Sequence, residues 1–283
     1  MARELYRYDP SLAAAVIFII LFMASAVVHT WQLFKTKNWF FIPFLLGCLA
    51  EAIGCIGRAV GAKESPDWSL TPYIIQALLL LLGPTMFAAS IYMILGRMIR
   101  LLEAEELSFI RPSWLTKFFL VGDIISIAAQ GFGGTKLSKA ETPADRNQGE
   151  TIIIAGLGVQ IAFFGLFIIT TLVLHRRINR DPTPKSARLT VPWRRLLAVL
   201  YVTSMLILVR SVFRLVEYVM GHDGVLQSRE VYIYVFDILL MAAVAVIFNV
   251  FHPSGTITAS QKAKAGSTES EIHLGSYGPI NPV

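Results

Sequence analysis

Three charged residues interrupt an apolar run, LVRSVFRLVEYVMG, at 208–221: Arg210, Arg214 and Glu217. They are spaced four and three apart, so on a helix they share one face. Other apolar runs carry Glu51, Arg58, Asp123 and Asp237, with Gln130 near the end of one of them. Carboxylates of this kind pair an ammonium group. A guanidinium beside them keeps them ionised, or grips a phosphate with its forked donors. The chemistry on offer is therefore recognition of a charged headgroup in apolar surroundings.

Catalytic patterns are missing by comparison. GFGGTK at 131–136 lacks the GxxxxGK[ST] spacing of a phosphate-binding loop and reads as a helix exit into a loop. His29, His175 and His252 fall near helix ends on one side, and three histidines raise the alternative of a zinc site. Isolated interfacial histidines are not ligands by default, so the reading is no metal, no cofactor and no enzyme. Cys48 and Cys55 are the only cysteines; one heptad apart on a helix, they are too distant to bridge and are assigned to packing.

These residues need elements that can hold them in lipid. The chain has 283 residues, 55% hydrophobic and 16% charged, against about a quarter charged in soluble domains. One soluble core cannot hide that much apolar surface. A bilayer-crossing helix takes about 20 mostly apolar residues, and seven such windows occur, at 12–34, 39–61, 72–100, 114–133, 151–175, 193–219 and 231–251. They are too long and too evenly apolar for barrel strands. The predicted fold is an all-α integral membrane protein, a seven-transmembrane-helix bundle over 1–253, followed by a polar tail at 254–283 with little to bury and expected to be disordered. The first span reads as an uncleaved signal-anchor helix. The 137–150 segment, LSKAETPADRNQGE, reads as the longest outside loop.

Lysine and arginine counts orient the bundle. The connections after spans one, three and five, with the tail and the basic helix ends beside them included, carry 15 Lys and Arg; the N-terminus and the other connections carry 7. This places the N-terminus outside and the C-terminus in the cytosol. The net charge of +6 reflects this asymmetry and a cytosolic face near anionic lipid rather than nucleic-acid binding. With that orientation the buried charges gather toward the outer leaflet. Because a lipid-facing charge costs at least ~2.5–3.5 kcal/mol, they must look into the bundle. Span two agrees, because Gly47, Gly54 and Gly61 recur every seven residues near the face of Glu51 and Arg58, and Gly57 with Gly61 makes a GxxxG expected to serve internal packing. Two uses fit the charges: a salt-bridge network closed on itself, or a polar cavity open outward.

Other seven-helix classes fit less well. A retinal-binding pump needs a lysine in span seven, and none stands between Glu230 and Phe251. Span three ends YMILGRMIRLLE and span seven ends FNVFHPSG, so the acidic-Arg-aromatic and NPxxY signatures of rhodopsin-like receptors are absent. Seven spans do not divide into two equal inverted halves, so a repeat-based transporter gets no support.

In order along the chain, YRYDPS, His29 in LFMASAVVHTWQ, EAIGCIGR, LLLLGPTMFAASIYMILGRMI, FLVGDIISIAAQGFGG, GLGVQIAFFGLF, VRSVFRLVEYVMG, EVYIYVFDILLM and FHP resemble the fungal RTA-like lipid-translocating exporter family, which contains the sphingoid long-chain-base resistance proteins. The resemblance covers about residues 6–254; Cys55 stands where an aromatic residue is expected. It implies export of amphiphilic lipids or toxic amphiphiles and drug resistance, most simply at the plasma membrane, with membrane lipids and an amphiphilic small molecule as partners. On this reading Glu51, Asp123, Glu217 or Asp237 would pair the amine of a sphingoid base, and Arg58, Arg210 and Arg214 would hold those acids ionised, with Gln130 in the same cavity. The alternatives are a seven-helix lipid or stress receptor and a zinc-dependent lipid amidase using His29, His175 and His252.

Overall fold

A computed structural model of the chain describes residues 8–253 and 255, apart from 66, 141, 189–192 and 222–223. Seven helices in it are long and apolar enough to cross a membrane. They are α1 (Leu12–Thr36), α2 (Ile42–Lys63), α3 (Leu70–Leu101), α4 (Pro112–Ser138), α5 (Pro143–Arg180), α6 (Trp193–Val219) and α7 (Glu230–Val250). The predicted disordered tail lies outside the described residues, except Gly255.

Local chemistry starts and stops these helices. Ser11 caps α1, its hydroxyl accepting from the Ala14 amide, and Lys37 ends it in the left-handed region at φ 54°. Prolines 43, 112 and 143 stand in the first turns of α2, α4 and α5, where a missing N–H costs nothing. Between α2 and α3 the Ser69 hydroxyl and amide both donate to Glu64 Oε2, at 2.6 and 2.9 Å, and hold that carboxyl below its usual range.

The 137–150 segment departs from the expected loop. Helix α4 runs through GFGGTK to Ser138, and α5 begins at Pro143. Thr142 accounts for the early start: its hydroxyl accepts from the Asp145 amide at 3.2 Å. Helix α5 is then 38 residues long, about 57 Å at roughly 1.5 Å per residue, well beyond the ~30 Å hydrocarbon layer. Hydropathy reported only its apolar centre.

Successive helices pack side by side, α7 returns to α1, and α3 is central, touching α2, α4 and α6. Small residues set the closest approaches. Gly47, Gly54 and Gly57 of α2 face α3, where a Cβ on Gly47 would stand 2.7 Å from the Phe87 ring and one on Gly57 3.0 Å from the Pro72 carbonyl. The expected internal role for that stripe holds. Between α4 and α5, a Cβ on Gly133 would stand 2.8 Å from the Gly149 carbonyl. The apolar core includes a run of rings, Phe41, Phe44 and Phe87, stacked at 4.6 and 4.4 Å. Large apolar side chains such as Val27, Phe34, Ile124 and Val202 stay exposed around the outside; on a spanning bundle that surface meets lipid.

Candidate functional site: a polar cavity at one end of the bundle

Two irregularities put the deepest charges in place. Pro84 lies inside α3 and has no N–H to give the carbonyl four residues back, that of Leu80. Arg210 on α6 fills the gap, its Nη2 donating to the Leu80 carbonyl at 2.7 Å. Opposite, α7 opens into a π-helical turn at Tyr234–Ile238 that carries Asp237. Such turns are rare and frequent at functional sites. Arg210 Nε donates to Asp237 Oδ1 at 2.6 Å with both side chains essentially inaccessible.

One turn further along α6, Arg214 Nη1 donates to Glu217 Oε2 at 2.8 Å, and its Nε stands 3.8 Å from Asp237 Oδ2. The face predicted from four-and-three spacing therefore exists, and its two arginines meet two acids.

Arg214, Glu217 and Asp237 border a cavity of about 450 Å³. Its lining comes from the N-terminal segment, the start of α3, the α4–α5 turn, the end of α6 and the start of α7, so it sits at the bundle end that carries the N-terminus. Arg58, Gln130, Arg214, Glu217 and Asp237 all line it. Lys139 and Arg146 stand where α4 turns into α5, while Asp237 lies two turns into α7, so Asp237 lies deeper than these two cations.

The remaining predicted residues separate. Arg58 does not join the α6 charges. It donates to Tyr8 Oη at 2.7 Å, Glu230 Oε1 at 2.9 Å and Tyr234 Oη at 3.1 Å. Glu230 also accepts from the Ser11 amide with both oxygens, each at 2.9 Å, so one acid ties the first turn of α1 to α2 and α7. Burial pushes the Tyr8 phenol up, with the Arg58 charge opposing. Asp123 is also apart from the α6 face; buried between α3 and α4, it accepts from Tyr92 Oη at 2.9 Å. Gln130 donates to Ser126 Oγ at 2.6 Å and Gln160 Oε1 at 3.1 Å. Glu51 is fully buried, faces Gly83 and does not line the cavity.

The histidines divide too. His29 Nε2 donates to the Ala245 carbonyl at 3.3 Å and its ring lies 6.3 Å from that of His252, whereas His175 packs on Tyr201. No group of three or more His, Cys, Asp or Glu among the described residues is placed to hold a metal ion.

Four participants were not singled out from the sequence: Glu230, Tyr8, Tyr234 and the Leu80 carbonyl. Glu230 reads as an interfacial acid at a span boundary. Pro84 did carry a usable sign, because a mid-span proline always leaves a carbonyl to be satisfied.

The RTA1 like protein family matches residues 44–261. The chain is 38% identical to Protein RTA1 of Saccharomyces cerevisiae, over 94% of this chain and 92% of that one. It is 36% identical to Protoporphyrin uptake protein 1 of the same yeast, over 87% and 91%. Identity to the yeast Sphingoid long-chain base transporter RSB1 is 27%, over 86% and 72%. No solved structure matches. Family match, end-to-end coverage and seven spanning helices agree: the chain belongs to the RTA1 like protein family.

Proposed function

We propose that the chain translocates amphiphilic lipids that carry a cationic headgroup, exports them and so confers resistance to them. The observation that carries this reading is the cavity wall formed by Glu217 and Asp237, two carboxylates held by Arg214 beside a space of about 450 Å³. That volume takes a headgroup and the first part of a chain, and lipid takes the remainder. An amine entering it meets acids already desolvated and ordered, so little reorganisation opposes pairing. A relative named as a sphingoid long-chain base transporter supplies the substrate class. The cavity end faces outside, with the lysine- and arginine-rich connections in the cytosol, and the plasma membrane is the site of action.

Reconstitution tests this. Purified protein is placed in vesicles, and a fluorescent long-chain base is followed between leaflets by quenching from outside. Protein-dependent movement that Glu217→Gln slows is expected. Saturable binding with no movement would replace the exporter reading with that of a lipid sensor.

A further inference from the structure

Glu51 differs from every other charge in the bundle. Its side chain is 0% exposed, and neither carboxyl oxygen has a hydrogen-bond partner among the described residues. Oε1 packs so closely on α3 that a Cβ at Gly83 would stand 2.4 Å away. The charges whose fields reach it are those of Asp237 on α7 and Arg210 on α6; Cys48 and Cys55 are its titratable neighbours on α2, and α3 presents a glycine. A carboxylate there would be a buried ion with no donor, so the neutral acid is the form that fits the site.

The surrounding charges balance without it. Arg210 and Arg214 are met by Asp237 and Glu217. Ionising Glu51 in this state would leave one uncompensated negative charge in a low dielectric. Arg210 connects the two places: Nε holds Asp237, which lines the cavity, and Nη1 has no partner among the described residues. The guanidinium thus keeps an unused donor, and neither Glu51 oxygen has one.

We propose that Glu51 is a proton-exchange site coupled to the cavity, releasing one proton when a monocationic headgroup binds Asp237. The ammonium N–H takes over the Asp237 oxygen that Arg210 held. Arg210 then donates to Glu51. The Glu51 O–H bond breaks, its electron pair stays on the carboxylate, and the proton passes to solvent. One positive charge enters and one leaves, so the buried cluster stays neutral. Repeated with access alternating between the two faces, this exchange would let a proton gradient drive export of the amine.

The inference rests on the cationic-headgroup reading, and calorimetry tells the two apart. The purified full chain in detergent is titrated with dodecylamine at neutral pH in phosphate and in Tris. The amine itself stays protonated there, and the difference in heat between buffers gives the protons released per amine bound. Wild type is expected to release about one proton per amine. Glu51→Gln, which keeps the side-chain volume, is expected to bind with that release lost, and Glu51→Asp to retain it. Wild type binding with no release, or Glu51→Gln releasing as wild type does, overturns the inference and leaves the headgroup reading standing. No binding by wild type overturns both. Should Glu51→Gln fail to fold, the wild-type proton number and Glu51→Asp still decide.

Discussion

The Arg210 guanidinium bonds the Leu80 carbonyl at 2.7 Å, and that carbonyl is free because Pro84 cannot donate to it. A helix defect on α3 and a buried charge on α6 thus satisfy one another, and the same guanidinium holds Asp237 on α7. Removing the guanidinium orphans the carbonyl and leaves the carboxylate only the longer ion pair to Arg214, at 3.8 Å. Breaking one partner of a buried pair typically costs about 3–5 kcal/mol. Thermal unfolding of Arg210→Gln in detergent is expected to show a loss of that order. The double change with Asp237→Asn should recover part of it, because the second change removes the charge left with that longer pair. An additive double mutant would show that the two side chains are not coupled.

Glu217 and Asp123 are both buried acids, yet only Glu217 lines the cavity. Asp123 is bonded to Tyr92 away from it. Glu217→Gln should therefore weaken binding of a long-chain amine by about tenfold or more, about 1.4 kcal/mol. Asp123→Asn should leave binding within about twofold of wild type, because an amide still accepts from the Tyr92 hydroxyl. Equilibrium binding of dodecylamine to protein of matched melting temperature checks both. Equal losses would place the headgroup between α3 and α4 instead.

The GFGG run contains an internal control. A Cβ on Gly133 would meet Ile153 at 2.7 Å and the Gly149 carbonyl at 2.8 Å, whereas Gly131 and Gly134 have nothing within 4 Å. Gly133→Ala forces α4 away from α5, an overpacking cost of about 1–3 kcal/mol. Gly131→Ala and Gly134→Ala instead gain helix propensity, up to about 1 kcal/mol each. Melting temperatures of the three variants should move in opposite directions about the wild type. A uniform shift would contradict this packing of α4 on α5.

The seven spans were legible because lipid demands long apolar windows, and the small-residue face of α2 because glycines at heptad spacing have few other uses. The start of α5 was not, although Thr142 and Pro143 announce a helix, because hydropathy is silent on polar turns that extend past the membrane. Pairing was least legible. Depth and spacing grouped Arg58 and Asp123 with the α6 charges, but depth gives height in the bilayer, not azimuth around the bundle. Arg58 turns to Glu230, which also ties down the Ser11 amide, and Asp123 faces Tyr92 between α3 and α4. Those choices depend on how the helices rotate against one another, which no single span encodes.

His252, just past the end of α7, gives the bundle a pH response of definite sign. Burial lowers its pKa to about 4, below the ordinary 6.5. In the unfolded chain the ring takes up a proton near 6.5, so above that pH both states are neutral and the residue has no effect. As pH falls from 6.5 toward about 4 the unfolded state binds the proton and the folded state does not, so stability drops through that window. Below about 4 the folded state protonates as well and the loss levels off. His252→Gln removes the titration while leaving a polar group of similar size. Its melting temperature should fall less than that of wild type between pH 6.5 and 4. Parallel curves for the two proteins would mean that His252 keeps its ordinary affinity for protons in the fold.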